Sequence, residues 1–375
     1  MYDQIREDAL FIMLYGVVTA MAVIASCYLL FRRANAIAPD ITPPLRLRRW
    51  TAAFFAFIAL NHLWYMPIMF LTSSEDIQMI DLIGGLLDCM TVIPLAIVVL
   101  LTMLQDRKRP LWPVALMMTP LVVGGALCIA YRSYVFLPMM YAYFLLMGIG
   151  LIIYMAYALR QYGYWLRDNY ADLEHKEVWQ GFVVLAIMFL VFGIYTYIYE
   201  GTAYLYALLA GFAVLICYLL WRVETLSDLT NKEVFGCEVA PLSAFEVTTP
   251  NNLTTLKPQD LTTSLQKHCI DTQLYLQHDL NIAQLAKAIG TNRFYLSQYF
   301  STQGITYNAY INDLRIDHFT RLYREAVAEG RSFTAQQLAG ESGYRSYSTF
   351  RLAFKQRMGQ NVREWMHEMA QNSQD

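Results

Sequence analysis

The chain has 375 residues, 57% of them apolar and 15% charged, with a formal net charge of −2 and a mean hydropathy of +0.32. That balance excludes an ordinary soluble protein, and the length allows two or three domains. The charge is unevenly spread, with apolar runs filling the first three-fifths, so a membrane domain followed by a soluble tail is the simplest division.

Seven runs reach the roughly 20 residues that a bilayer crossing requires. They lie near Ala9 to Phe31, Trp50 to Leu71, Leu82 to Leu104, Leu111 to Tyr131, Val135 to Leu159, Gly181 to Tyr199 and Tyr204 to Trp221. One set of connecting loops carries Arg32, Arg33, Arg46, Arg48, Arg49, Arg107, Lys108, Arg109, Arg160, Arg167 and Lys176. Alternate loops carry only Arg6 and Arg132. The positive-inside rule then puts the N-terminus outside, and seven crossings deliver the tail to the cytoplasm. Ile24-Ala25-Ser26-Cys27 fits the pattern that precedes a lipidated cysteine. The acidic start (Asp3, Glu7, Asp8) and an apolar run that continues past Cys27 instead predict an uncleaved span.

Arg160 to Gln180, between the fifth and sixth spans, is amphipathic, and Trp165, Tyr170 and Trp179 suit the headgroup boundary. The segment reads as an interfacial connector or, more sharply, as a cytoplasmic element that touches the tail and relays a change in the bundle. Val223, Leu226 and Leu229 extend helical spacing beyond the last span and offer a short dimer seam. Glu238 to Pro258 loses periodicity and carries Pro241, Pro250 and Pro258, the composition of a flexible tether. The expected boundaries are therefore 1–225 for the seven-span domain, 226–258 for the linker and 259–370 for a helical tail. No strand is predicted.

The tail says one thing twice. Asn281 is followed three residues on by Gln284, with Leu280 and Leu285 flanking; Thr334 is followed by Gln337, with Phe333 and Leu338 flanking. Each set is a capping box with a hydrophobic staple. Gly290 and Gly343 then supply left-handed turns, and a second amphipathic helix follows each. Helix, glycine turn, helix, twice over, is the layout of a paired helix-turn-helix DNA reader.

Asn281 to Trp365 resembles the DNA-binding domain of AraC-family transcription regulators. The resemblance is carried by Leu285-Ala286, Gly290, Leu296 and Phe300, by the connecting helix Tyr310 to Ile316, and by Leu338-Ala339, Gly343-Tyr344, Ser346, Phe350, Phe354-Lys355 and Gly359. Joined to the apolar half, it implies an all-α membrane-anchored regulator of this type: a seven-helix bundle followed by a cytoplasmic double helix-turn-helix domain. The pattern departs at Gln360, where a proline is usual, at Phe319, where a small residue is common, and at Leu352, where a groove-facing Arg is frequent.

Helical geometry selects the candidate contacts. Leu296 and Phe300 must face the core, which leaves Phe294, Ser297 and Gln298 toward the groove, with Arg293 at the helix start. Phe350 and Phe354 likewise leave Tyr347, Ser348 and Arg351 outward. Arg351 suits guanine and Gln298 suits adenine, whereas Arg345, Lys355, Arg357 and Arg363 suit phosphates. Ile282 to Ile311 and Gly343 to Arg363 contain no acid. The acids Asp313, Asp317, Glu325 and Glu329 fall on the connector between them.

Within the spans, Asn61, His62 and Asp88 are the ionisable or polar suspects for signal sensing, and a His62–Asp88 contact is expected from their depths. Tyr195, Tyr197, Tyr199, Tyr204 and Tyr206 cluster near the outer ends of the last two spans as interface anchors or, with Glu200 in the same turn, as a ligand mouth. The scattered Cys27, Cys89, Cys128, Cys217, Cys237 and Cys269 have no metal-ligand spacing and read as reduced. No cofactor, metal or enzymatic site is predicted. The partners expected are double-stranded DNA and the lipid bilayer; RNA polymerase, a second copy of the chain and an unidentified ligand of the bundle are further candidates. The competing architecture is a transporter or membrane receptor whose tail serves regulation or interaction, and a third keeps the reader and makes the bundle a passive anchor.

Overall fold

A computed structural model describes residues 8–32, 35–183, 202–229 and 258–371. The described residues are helical, without strands; one isolated antiparallel bridge joins Tyr170 to Asn281. The chain divides into two units. The first is Met1–Tyr162 with Val178–Thr230, and the second is Gly163–Glu177 with Asn231–Asp375.

The first unit is built from α1 (Ala9–Phe31), α2 (Leu45–Tyr65), α3 (Ser74–Met90), α4 (Val92–Met103), α5 (Trp112–Tyr131), the apolar part of α6 (Leu137–Asn169) and α7 (Thr202–Thr225). Asp8 starts α1 by accepting the N–H groups of Leu10 and Phe11 at 3.1 and 3.2 Å, an N-cap in the ordinary sense. The run expected as one third span is two helices. They break at Thr91, because Pro94 cannot donate to the Met90 carbonyl. Among the described residues six helices, counting α3 and α4 as one, are long and apolar enough to cross a bilayer. Most of the expected sixth span, Gly181 to Tyr199, lies outside the described residues, as do Cys237, Glu200 and the tether up to Lys257.

Polar side chains tie helix ends together inside this unit. Buried Glu224, at the end of α7, pairs with Arg48 of α2 at 3.4 Å, and its carbonyl accepts from Asn35 at 2.7 Å. Gln105, just after α4, donates to the Ser227 carbonyl at 2.9 Å and accepts from the Leu229 amide at 2.8 Å. At the other ends of α1 and α7, the Tyr206 hydroxyl donates to Asp8 at 2.6 Å. These contacts overturn the expected dimer seam. Helix α7 stops at Thr225, and Val223, Leu226 and Leu229 are all buried within the unit itself.

The second unit comprises α8 (Pro258–Leu265), two short helical turns (Gln266–Ile270 and Leu274–Leu276), α9 (Ile282–Ala288), α10 (Arg293–Thr302), α11 (Tyr307–Ala328), α12 (Ala335–Glu341), α13 (Tyr347–Met358) and α14 (Val362–Gln371). It has two cores. Leu265, Leu280, Leu285, Leu296, Phe300 and Ile311 form the first; Phe319, Leu338, Phe350, Phe354, Val362 and Trp365 form the second. The long α11 gives its first half to one core and its second half to the other. Phe319 is a centre of the second, fully buried with its ring 4.5 Å from that of Phe350 and 6.1 Å from that of Trp365.

Candidate nucleic-acid interface

Both capping boxes form as the spacing requires. The Gln284 amide donates to Asn281 Oδ1 at 2.9 Å and the Asn281 amide to Gln284 Oε1 at 3.0 Å. At the repeat, the Gln337 amide donates to Thr334 Oγ1 at 3.2 Å and the Thr334 amide to Gln337 Oε1 at 2.9 Å. Each satisfies two amides that a helix start otherwise leaves bare. The turns that follow are left-handed at Gly290 (φ +76°) and Gly343 (φ +88°). The second helices are capped in turn, α10 by Asn292 and α13 by Ser346.

These caps fix the rotation of α10 and α13. Leu296, Phe300, Phe350 and Phe354 are at most 2% exposed, and the opposite faces carry the expected contacts. Phe294 is 71% exposed, and Gln298, Ser348, Arg351 and Lys355 are also exposed. Ser297 is half-buried; Tyr347 is half-buried with its ring 5.7 Å from that of Phe350. Leu352 points outward at 62% exposure, which places an apolar side chain beside Arg351 and Lys355.

Three basic residues are not simply presented to solvent. Arg357 pairs with Asp313 at 3.3 Å and Asp317 at 2.7 Å, both on α11, and so braces α13 on the connector. Arg345 lies 3.3 Å from Asp279. Arg293 is half-buried. Its burial pushes the guanidinium pKa below its ordinary value, against the opposing influence of Tyr170 and Asp168.

Arg315, which the sequence gives no reason to single out, joins the two halves. It is 1% exposed on α11, donates to the carbonyls of Tyr275 and Gln277 at 2.8 Å each, and lies 5.4 Å from the centre of the Tyr344 ring. Charge-assisted bonds of this kind contribute about 1.5–3 kcal/mol each. The His278 ring adds a contact to the Gly343 carbonyl at 3.2 Å.

Residues 285–368 match the family of the helix-turn-helix domain. The C-terminal part of this chain is an AraC-type helix-turn-helix domain. Comparison with curated proteins and with solved structures yields no match. The helix-turn-helix domain supports a DNA-binding regulator, and its matched span takes in both glycine turns and both second helices.

The polar residues of the apolar unit are arranged differently from expectation. Asp88 accepts from Asn61 at 2.7 Å and from the Tyr65 hydroxyl at 3.0 Å. His62 instead turns its Nδ1 to the Ile58 carbonyl at 2.8 Å and packs its ring 4.7 Å from that of Tyr15. Adjacent helix positions differ by about 100° in direction, so Asn61 and His62 face different neighbours, and the expected His62–Asp88 contact is replaced by Asn61–Asp88. The five described cysteines are free thiols, and no cluster of metal-binding side chains occurs among the described residues.

Proposed function

We propose that this chain is a membrane-bound transcription regulator of bacterial type, anchored in the cytoplasmic membrane by seven spans, that reads specific double-stranded DNA through two helix-turn-helix units. The observation that carries this reading is the pair of capped helix-turn-helix units, each with a buried apolar stripe and an acid-free second helix, joined by one continuous connector. Units so joined suit successive major grooves about 10 bp apart.

The boundaries 1–225, 226–258 and 259–370, with an outside N-terminus and a cytoplasmic tail, are part of the proposal. Loop charge supports the orientation. The pairing of helix ends supports α1 and α7 running in the same sense: Asp8 with Tyr206 at one end, and Glu224 with Arg48 and Asn35 at the other. Arg107, after α4, donates to Gln161 of α6 at 3.3 Å, so α6 runs in the sense of α4. That alternation supports the proposed seventh crossing between α6 and α7. In this reading Asn61, Tyr65 and Asp88 form the polar cluster through which the bundle responds to a ligand, and Arg293, Phe294, Ser297, Gln298, Tyr347, Ser348 and Arg351 face the groove, with Arg345 and Lys355 at phosphates.

Genome-wide mapping of DNA bound by the intact protein tests the reading. A shared motif with two half-sites is expected. Arg351→Ala should relax the preference at one position at a cost of about 1–3 kcal/mol, and Lys355→Ala should weaken binding evenly across sequences. Absence of enrichment in cells that make the protein overturns the proposal.

A further inference from the structure

The second unit contains a piece of chain that lies far from the helix-turn-helix domain in sequence. Gly163–Glu177 leaves the first unit at the end of α6, joins the second, and returns to the first at Val178. Helix α6 has 33 residues, about 50 Å at 1.5 Å each, against roughly 30 Å for the hydrocarbon core. Its last turns therefore have length to spare beyond an apolar crossing.

The docking is specific. Ala171 is 1% exposed and is part of the first helix-turn-helix core. Its amide donates to the Leu280 carbonyl at 3.2 Å, and Tyr170 bridges to Asn281, the cap of α9. Asn308, near the start of α11, donates to the carbonyls of Tyr170 at 3.1 Å and Ala171 at 2.6 Å. Buried Lys176 pairs with Asp279 at 3.0 Å, and the same carboxylate faces Arg345. Lys176, Arg345 and His278 hold the Asp279 pKa below the ordinary carboxylate value against an opposing desolvation.

One acid of this segment meets the start of a second helix. Glu174 accepts from Thr349, in the first turn of α13, at 3.3 Å. That turn is where a helix-turn-helix reader meets DNA and where backbone amides and the helix dipole favour an anion. The outward faces bearing Phe294, Gln298, Ser348 and Arg351 stay exposed, so the segment reaches the start of α13 and does not cover the reading face.

We propose that Gly163–Glu177 is a built-in competitor of DNA: it sets the Glu174 carboxylate at the start of α13, where a phosphate would bind, and has to leave before the reader engages fully. The inference rests on the DNA-binding reading above. Because both ends of the segment continue into the apolar unit, a change there can set how firmly the segment holds.

The test uses the full chain in lipid nanodiscs and a mixed-sequence duplex of about 30 bp, with affinity followed against salt. The variant Glu174→Gln is expected to bind about threefold more tightly. Its plot of log affinity against log salt should steepen by about one for each additional phosphate that the reader neutralises. Asn308→Ala, which loosens the segment without changing charge, is expected to raise affinity as well, and adding the duplex to the unmodified chain should speed hydrogen exchange over residues 169–176. A merely structural brace predicts the reverse for Asn308→Ala, a fall in affinity. Duplex binding by the unmodified chain with no increase in either variant overturns the competitor alone; no binding by any of them overturns the DNA-binding reading with it.

Discussion

At the residue scale, His318 shows how burial sets a protonation state in this domain. Arg321 lies 2.8 Å and the Tyr275 hydroxyl 3.0 Å from its Nδ1. A guanidinium only donates, so Nδ1 must accept and the ring is neutral, with its proton on Nε2. Burial first, and Arg321 second, push the His318 pKa below its ordinary 6.5. The folded state then takes up a proton less readily than the unfolded state. The stabilisation is fully present above about pH 6.5 and is lost as the pH falls below it toward the depressed folded value. Hydrogen exchange of α11 amides, corrected for intrinsic rate, should show protection falling between pH 7 and 5. His318→Gln should flatten that slope; an unchanged slope would remove His318 as its source.

At the element scale, the two glycine turns are alike in backbone and unlike in surroundings. Both sit at positive φ, yet a Cβ at Gly290 meets open space, whereas one at Gly343 would lie 2.8 Å from the Leu276 backbone. Gly290→Ala should therefore cost only the left-handed strain, about 1–2 kcal/mol. Gly343→Ala adds overpacking of about 1–3 kcal/mol, because Leu276 belongs to backbone that Arg315 holds on either side through Tyr275 and Gln277. Denaturant midpoints of the two variants check this; equal losses would mean that the second turn can move away from Leu276 freely.

At the scale of the whole molecule, the second unit is assembled from two distant stretches of sequence, and the shorter one is framed by the first unit on both sides. A reader attached only by the tether would be independent of its anchor. Replacing the apolar unit, including Gly163–Glu177, with an unrelated span should therefore change transcription of the genes found by mapping. Unchanged transcription would reduce the bundle to an anchor.

The features legible in the chain alone rest on short-range physics. The capping boxes at Asn281 and Thr334, the left-handed glycines, and the inward Leu296 and Phe300 depend on neighbours three or four residues away. Bilayer-length apolar runs depend on composition alone, so both could be read directly. Packing in three dimensions settled where side chains with more than one possible partner went. Arg357 was spent on Asp313 and Asp317, Asp88 took Asn61 in place of His62, and Val223, Leu226 and Leu229 turned into their own unit. It also settled the use of Arg160 to Gln180, whose amphipathic pattern fits a membrane surface and a protein surface equally. Ala171 in the core and Asn308 on the adjoining carbonyls make that choice for its central part, because a hydrophobic pattern records that a face will be covered and carries no information about what covers it.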